Sequence, residues 1–445
     1  FNPDAEKLLN ELLNGKPVRY FSDDHSHRVF LDSTKLAGVM HDNLELLPTT
    51  DCSSLLPGAR TDKWLSLQQT TAPISQVIVF CTYEMGGVNA GGMGIFLDAL
   101  IRVLLTSNIR IIVLYDNMPE NQMNDWKRRT LHDSGVKDEQ QLKIASLQSI
   151  VKGFCSHCGA DTYVERPTEP WKRAALWERG ITKLYHHANF GPFDAVEFFE
   201  YFGPATELLL RRSQQLAGQN MPGLLPLSVV IIVRVHGSIA FINAVENRPM
   251  TEENYLLGVM ERTGLAMADI VFYPSKPLRA FYEKQFILHS RRVALAPPPM
   301  KSVLTSMFDS AQSSVQTHWN AATKRDLLVY GKLQDTKGVF IILDAMVQLF
   351  KLHAHDGHGK LQRTHIHFYG MDMFGTLKMM RQRIPVRFQE QFHFHGPVPR
   401  QSLPKLVTHF RAAIFASQFE SFCLSAHELH FLHMPLVVPD TLAFN

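Results

Sequence analysis

Val77-Ile-Val-Phe80, the loop Gly86-Gly-Val-Asn-Ala-Gly-Gly-Met-Gly94 and the run Ile111-Ile-Val-Leu-Tyr115 decide the fold of this chain. Both apolar runs are continuous rather than alternating, as in parallel strands covered on two faces. Between them Ile95, Leu97, Leu100, Val103 and Leu104 recur at near-helical spacing. Strand, glycine loop, helix and strand make the repeating unit of a doubly wound α/β domain. The loop holds five glycines, Gly86, Gly87, Gly91, Gly92 and Gly94. It stands at the carboxyl edge of a first strand, where open α/β sheets bind ligands. Glycine lets a phosphate or sugar approach the backbone closely. The same residues also suit a tight turn, and the spacing is not the G-x-G-x-x-G dinucleotide fingerprint.

Working outward, the α/β pattern continues. Leu142 to Val151 and Ala195 to Leu216 are helical in pattern. Val229-Val-Ile-Ile-Val-Arg-Val-His236 and Asp269-Ile-Val-Phe-Tyr273 read as buried strands. Pro297-Pro-Pro299 and a polar stretch then mark a linker, and a second α/β unit opens with Leu327-Leu-Val-Tyr330. Val339 to Phe350 reads as its first helix. Thr364 to Tyr369, Phe392 to Phe394, Ala412 to Phe415 and Pro435 to Val438 read as further strands. The organisation expected is an N-terminal extension at 1–74, with a short amphipathic helix at Ala5 to Leu13. A first Rossmann-like domain follows at 75–300, a linker at 301–324 and a second Rossmann-like domain at 325–445.

The chain has 445 residues, 45% hydrophobic and 20% charged, so it is globular with room for two or three domains. A net charge of +3 is too small to argue for nucleic acid or a membrane surface. No stretch reaches the length of a membrane-spanning helix and no signal peptide is visible. Five cysteines give no disulfide framework. Cys155-Ser-His-Cys158 is a lone CxxC without a second ligand pair at metal-site spacing. A cytoplasmic location is the expectation.

Four segments carry candidate chemistry. Ser417-Gln-Phe-Glu-Ser-Phe-Cys-Leu-Ser-Ala-His-Glu428 follows the apolar Ala412-Ala-Ile-Phe-Ala416. It reads as strand, loop and helix start, with Glu420 in the loop and Glu428 about one turn into the helix. The amides of Phe422, Cys423 and Leu424 would stand between them. Free amides at a helix start bind phosphate, and a carboxylate can hold sugar hydroxyls. Two solvated glutamates on a polar loop fit the same pattern. Gly331-Lys332 and Lys337-Gly338 follow the first strand of the second unit, where two lysines could reach a diphosphate as point charges or simply be solvated. His236-Gly237 ends a buried strand and suits a substrate contact or a core histidine. His365, His367, His393 and His395 alternate along two strands and resemble a metal cluster, but no acidic partner is spaced with them, so strand-surface histidines are the reading. His353, His355 and His358 lie in a Gly-containing loop and are expected to be solvated.

In order and spacing these segments resemble the retaining GT-B glycosyltransferases, the group that includes sucrose, glycogen and starch synthases. The resemblance covers about residues 76 to 440. Gly91-Gly-Met-Gly94 matches the glycine loop and Arg234-Val-His-Gly237 the strand-end His-Gly. Ala268 to Ser275 resembles the strand ending in Pro-Ser before the linker. Tyr330-Gly-Lys-Leu with Lys337-Gly338, His395-Gly-Pro-Val398 and Glu420 to Glu428 match the motifs of the second domain. Asp194 to Phe199 faintly resembles the synthase branch. The resemblance implies two Rossmann-like domains facing across a cleft. It implies transfer of a sugar from a nucleoside-diphosphate sugar to a carbohydrate or other hydroxyl acceptor, with retention, without a metal and without a cofactor.

Residue by residue, the resemblance gives Lys337 and Lys332 to the diphosphate, Glu420 to the transferred sugar and Glu428 to the ribose. Phosphate or sugar oxygens would lie on the amides of Phe422, Cys423 and Leu424. His236 would line the sugar site, and the loop glycines Gly91 and Gly92 would bind the donor. Catalytic roles are expected at His236, Glu420 and Lys337. Asn89 stands where synthases carry lysine, Lys332 where many members carry arginine, Ala416 where they carry proline and Cys423 where they carry glycine. These departures keep open an alternative, a non-catalytic GT-B domain that binds or scaffolds. The family's closing helices lie beyond the motifs found here, so further segments of a longer polypeptide are expected.

Overall fold

The computed structural model describes residues 76–440 apart from 86–91, 108, 117, 153–167, 222, 246–248, 287–292, 300–324 and 354–362. The N-terminal extension, Asn89, Gly91, the CxxC pair, the linker, His355 and His358 lie outside the described residues. The chain divides into two compact units, one ending near Pro299 and the other holding the residues from Arg325 on.

The first unit is built on a seven-stranded parallel sheet. Its strands are β1 (Val77–Thr82), β2 (Arg110–Tyr115), β3 (Leu142–Ser146), β4 (Ala195–Phe199), β5 (Val230–Arg234), β6 (Ile270–Tyr273) and β7 (Val293–Leu295). Their spatial order is β3-β2-β1-β4-β5-β6-β7. The sequence therefore steps outward in one direction from β1 to β3, then returns to the other side of β1 for β4. That reversal is the switch point of a doubly wound sheet, where loops on either side leave a crevice. Ile78, Phe80, Ile111 and Val113 pack on one face with Phe96, Leu97 and Ile101 of the helix Gly92–Leu105. The helix Glu169–His186 supplies Trp177, whose ring meets Phe198 edge-on.

Two segments read as helical divide differently. Leu142 to Val151 contains β3 and then the short helix Leu147–Lys152. Ala195 to Leu216 contains β4 and then the helix Thr206–Leu216. The charge of Glu197 hides β4, because a carboxylate in the middle of a fully buried strand breaks the apolar run. The neighbouring strand compensates it. Arg234 donates to Glu197 through Nε at 2.5 Å and Nη2 at 3.2 Å, and both side chains are buried. The guanidinium also lies 4.7 Å from the ring centres of Phe96 and Phe272.

The second unit holds a five-stranded parallel sheet in the order β10-β9-β8-β11-β12. The strands are β8 (Leu327–Tyr330), β9 (Ile366–Tyr369), β10 (Phe392–His395), β11 (Ala412–Ile414) and β12 (Leu436–Val437). Again the first strand is central and the reversal falls beside it, between β8 and β11. Period-2 alternation along β8 divides the core. Leu327 and Val329 pack with Ile342, Leu343 and Phe350 of the helix Val339–His353. Leu328 and Tyr330 face the other way, toward Leu403, Val407 and Leu429. Among the described residues no helix is long and apolar enough to cross a membrane.

Candidate functional site

The most developed site lies at the switch point of the second sheet. Two loops meet there, one after β8 and one after β11. The first passes through Gly331 and Lys332 to a single 3-10 turn, Asp335–Lys337, and ends at Gly338 with φ 65°. A methyl carbon on Gly338 would lie 1.9 Å from the Ala416 carbonyl oxygen, so only glycine allows the two loops to touch. The Gln418 N–H donates to the Thr336 carbonyl at 2.9 Å and stitches them together.

This contact fixes the charged pair. Lys337 Nζ donates to Glu420 Oε1 at 2.5 Å, and the Ser417 hydroxyl donates to the same oxygen at 2.9 Å. Glu420 is buried, and Lys337 keeps about a third of its side chain exposed. Burial alone lowers the Lys337 ammonium, but the Glu420 carboxylate, helped by Cys423, holds it above its ordinary value. Gly331, Lys332, Lys337, Ser417, Glu420, Cys423 and Ser425 line one pocket here. Four residues named from sequence, Lys332, Lys337, Glu420 and Cys423, thus come together.

Phe422, Leu424 and Glu428 do not line that pocket. The helix begins at Leu424 and ends at Phe431, with Cys423 as its N-cap in the left-handed conformation, φ 53° and ψ 64°. Phe422 therefore precedes the helix, and its ring stacks on His427 with centres 4.1 Å apart. The first two helical N–H groups, which an α-helix leaves without an internal partner, belong to Leu424 and Ser425. Sequence reasoning missed Ser425 as a pocket residue. The spacing that places it three residues before Glu428 was the available signal. Glu428 itself is buried and bound by Arg400, whose Nε lies 2.5 Å from Oε1 and whose Nη2 also donates to that oxygen. Burial raises the Tyr330 hydroxyl, and the nearby Arg400 opposes the rise.

The other named residues belong to the first unit. His236 follows β5 and faces the N-terminus of the helix Gly92–Leu105. A methyl carbon on Gly92 would lie 3.1 Å from His236 Cε1, so glycine permits this approach. The turn around His236 rests on buried carboxylates. Glu200 Oε2 accepts from the His236 N–H at 2.6 Å, and Glu200 Oε1 accepts from the Gly237 N–H at 2.5 Å. Burial pushes Glu200 up to about 7, against the pull of those two N–H groups and the Tyr282 hydroxyl.

The four strand histidines form a ladder across β9 and β10. His365 Nδ1 lies 2.8 Å from His393 Nε2, and His367 Nδ1 lies 3.1 Å from His395 Nε2. Each contact requires one ring to donate and the other to accept. An acidic partner does exist, contrary to the sequence reading. Asp326, just before β8, accepts from the His365 N–H at 3.1 Å and lies 3.7 Å from His367 Nε2. Burial and the neighbouring rings lower His393 and His395. No group of three or more His, Cys, Asp or Glu among the described residues is placed to hold a metal ion.

Comparison with solved structures places this architecture. Sucrose-phosphate synthase from Thermosynechococcus elongatus is 16% identical, with a TM-score of 0.52 over 82% of this chain and 81% of that one. The N-terminal domain of Candida albicans trehalose-6-phosphate phosphatase is 10% identical, with a TM-score of 0.51 over 82% of each chain. A glycosyltransferase from Rickettsia africae is 10% identical, with a TM-score of 0.50 over 82% of this chain and 79% of that one. The shared architecture is the GT-B fold. At these identities the likeness concerns the fold alone. No protein-family model and no curated protein matches the chain.

Proposed function

We propose that this chain is a retaining glycosyltransferase that moves a sugar from a nucleoside-diphosphate sugar to a hydroxyl acceptor. The observation that carries the reading is the convergence of Lys332, Lys337, Glu420 and the start of the helix Leu424–Phe431 on one switch-point pocket. Two cations and two helical N–H groups suit a diphosphate. The carboxylate beside them suits sugar hydroxyls. Lys337 and Lys332 are assigned to the diphosphate, Glu420 to the sugar, and Glu428 to the ribose, which it reaches only by sharing its carboxylate with Arg400. His236 and Gly92, held together in the first unit, are assigned to the sugar. In the reaction the bond between the anomeric carbon and the phosphate oxygen breaks. The acceptor oxygen bonds to that carbon from the same face, and its proton passes to the departing diphosphate. The lysines stabilise the charge that develops on it. The assignment includes no metal and no cofactor, and a cytoplasmic setting.

A panel of UDP-, GDP- and ADP-sugars with carbohydrate acceptors tests the reading. Release of the nucleoside diphosphate and a product of unchanged anomeric configuration are expected. An absence of transfer, hydrolysis and binding across the panel would overturn it.

A second reading, a GT-B module that binds without catalysis, is favoured by one feature. Cys423 holds a left-handed conformation between the two glutamates and narrows the pocket with its side chain. Loss of a measured transfer in Glu420→Ala with the fold retained would exclude it.

A further inference from the structure

We infer that Glu200 is the positioning residue that holds His236 against Gly92 for transfer. This rests on the proposed role of His236 at the sugar. Four consecutive backbone N–H groups, from His236 to Ile239, are taken by side chains beneath the turn. Glu200 accepts the first two at 2.6 and 2.5 Å. The Tyr282 hydroxyl oxygen accepts from the Ser238 N–H at 2.8 Å and its proton is donated to Glu200 Oε1 at 3.1 Å. Both oxygens of Glu261 accept from the Ile239 N–H at 3.0 Å, and Oε1 also accepts from the Phe202 N–H at 3.0 Å.

Glu200, Glu261 and Tyr282 are all buried. An ionised buried carboxylate is expensive, and here it is offset by the backbone N–H groups it satisfies. What the carboxylate supplies is direction: two acceptors on a planar group set the His236–Gly237 peptide and hence the imidazole. The close approach of that ring to Gly92 leaves little room for a shifted turn. A displacement of about 1 Å at such a contact lowers turnover by about 100-fold.

Glu200 interacts with Glu261, Tyr282 and Tyr273 and with the His236 and Gly237 amides, and the His236 imidazole is a further titratable group on the turn it holds. The acceptors that Glu200 offers to the two amides depend on its own ionisation. Above pH about 7 the carboxylate is a pure acceptor for both N–H groups. Below it the added proton competes for one oxygen.

Glu200→Gln and Tyr282→Phe test the assignment in the full chain. The amide of Gln can accept one of the two N–H groups and sets its own NH2 against the other. A nuclear Overhauser contact between His236 Hε1 and the Gly92 α-protons is expected in the parent protein and is expected to be lost in Glu200→Gln. Turnover is expected to fall ~10–100-fold with the donor KM within about twofold, and a rise of kcat through pH about 7 to disappear. Tyr282→Phe is expected to weaken the contact only partly. Retention of the His236–Gly92 contact in Glu200→Gln, with the fold intact by circular dichroism, would overturn the inference. If the parent protein turns over none of the nucleotide-sugars, the proposed function fails, while the Overhauser measurement still decides the role of Glu200.

Discussion

Lys337 and Glu420 stand 83 positions apart in sequence and form a 2.5 Å ion pair that closes one wall of the switch-point pocket. On the proposed function, a nucleoside diphosphate would recruit the remaining two N–H donors of this ammonium or displace the carboxylate. On that reading Lys337→Ala is expected to weaken whichever of UDP, GDP and ADP the parent protein binds by ~100-fold in isothermal titration calorimetry, about two charge-assisted hydrogen bonds' worth. It also strands a buried carboxylate beside Ser417, a loss of about 1–3 kcal/mol in urea unfolding. Lys337→Arg restores the charge in a different shape and is expected to recover stability more fully than binding.

Cys423 occupies a left-handed N-cap, φ 53°, that glycine accepts freely. A side chain there costs about 1–2 kcal/mol in backbone strain. Cys423→Gly is expected to be about 1 kcal/mol more stable than Cys423→Ala, since alanine keeps the strain and loses the sulfur. Equal stability of the two variants would refute this account. Burial raises the Cys423 thiol well above its usual range, so alkylation by iodoacetamide at pH 8 should be slow in the folded protein and fast after unfolding.

Stability should also depend on pH through Glu200. Its folded value, about 7, lies above the ordinary 4.5, so the folded state holds the proton more tightly than the unfolded chain does. This stabilisation is complete below pH 4.5 and is lost as pH rises through about 7. The loss amounts to about 3 kcal/mol at most. Glu200→Gln should flatten the fall in unfolding free energy between pH 5 and pH 8 by up to that amount. An unchanged slope would show that Glu200 ionises as freely in the fold as in water.

Glu197 and Arg234 make a buried fork between β4 and β5. Removing one partner leaves an unmatched charge in the sheet. Glu197→Ala or Arg234→Ala should each cost about 3–5 kcal/mol, whereas exchanging both for apolar residues of similar size should cost much less. Chemical denaturation of the two single variants and the double variant measures the coupling.

The legible parts of the chain were those whose signal is local. The runs at Val77, Ile111 and Leu327 announced strands because nothing polar interrupts them, and Val229 to Val233 did so because five apolar residues precede Arg234. β4 stayed hidden because Glu197 acquires its partner only when β5 lies beside it. The lysine and glutamate motifs could be named from spacing, and the fold brings Lys332, Lys337 and Glu420 to one pocket. Arg400 on Glu428 and Asp326 beside His367 were not legible, since the first joins a 3-10 turn to a helix 28 positions on and the second depends on the register of β8 with β9.

The reversal beside β8 also sets an order of events during synthesis. β8 can pair with β9 as soon as Tyr369 has emerged, but its other edge stays open until Ala412 to Ile414 arrive. Lys332 and Lys337 are thus made early and wait, with Glu420 and the helix behind it still to come. Until then the β8 edge offers unpaired amides and carbonyls to any neighbouring chain. The pocket closes only once β11 and the helix behind it have arrived, with β12 still to pair on β11, and a ribosome stalled before Ala412 would hold the β8 edge open.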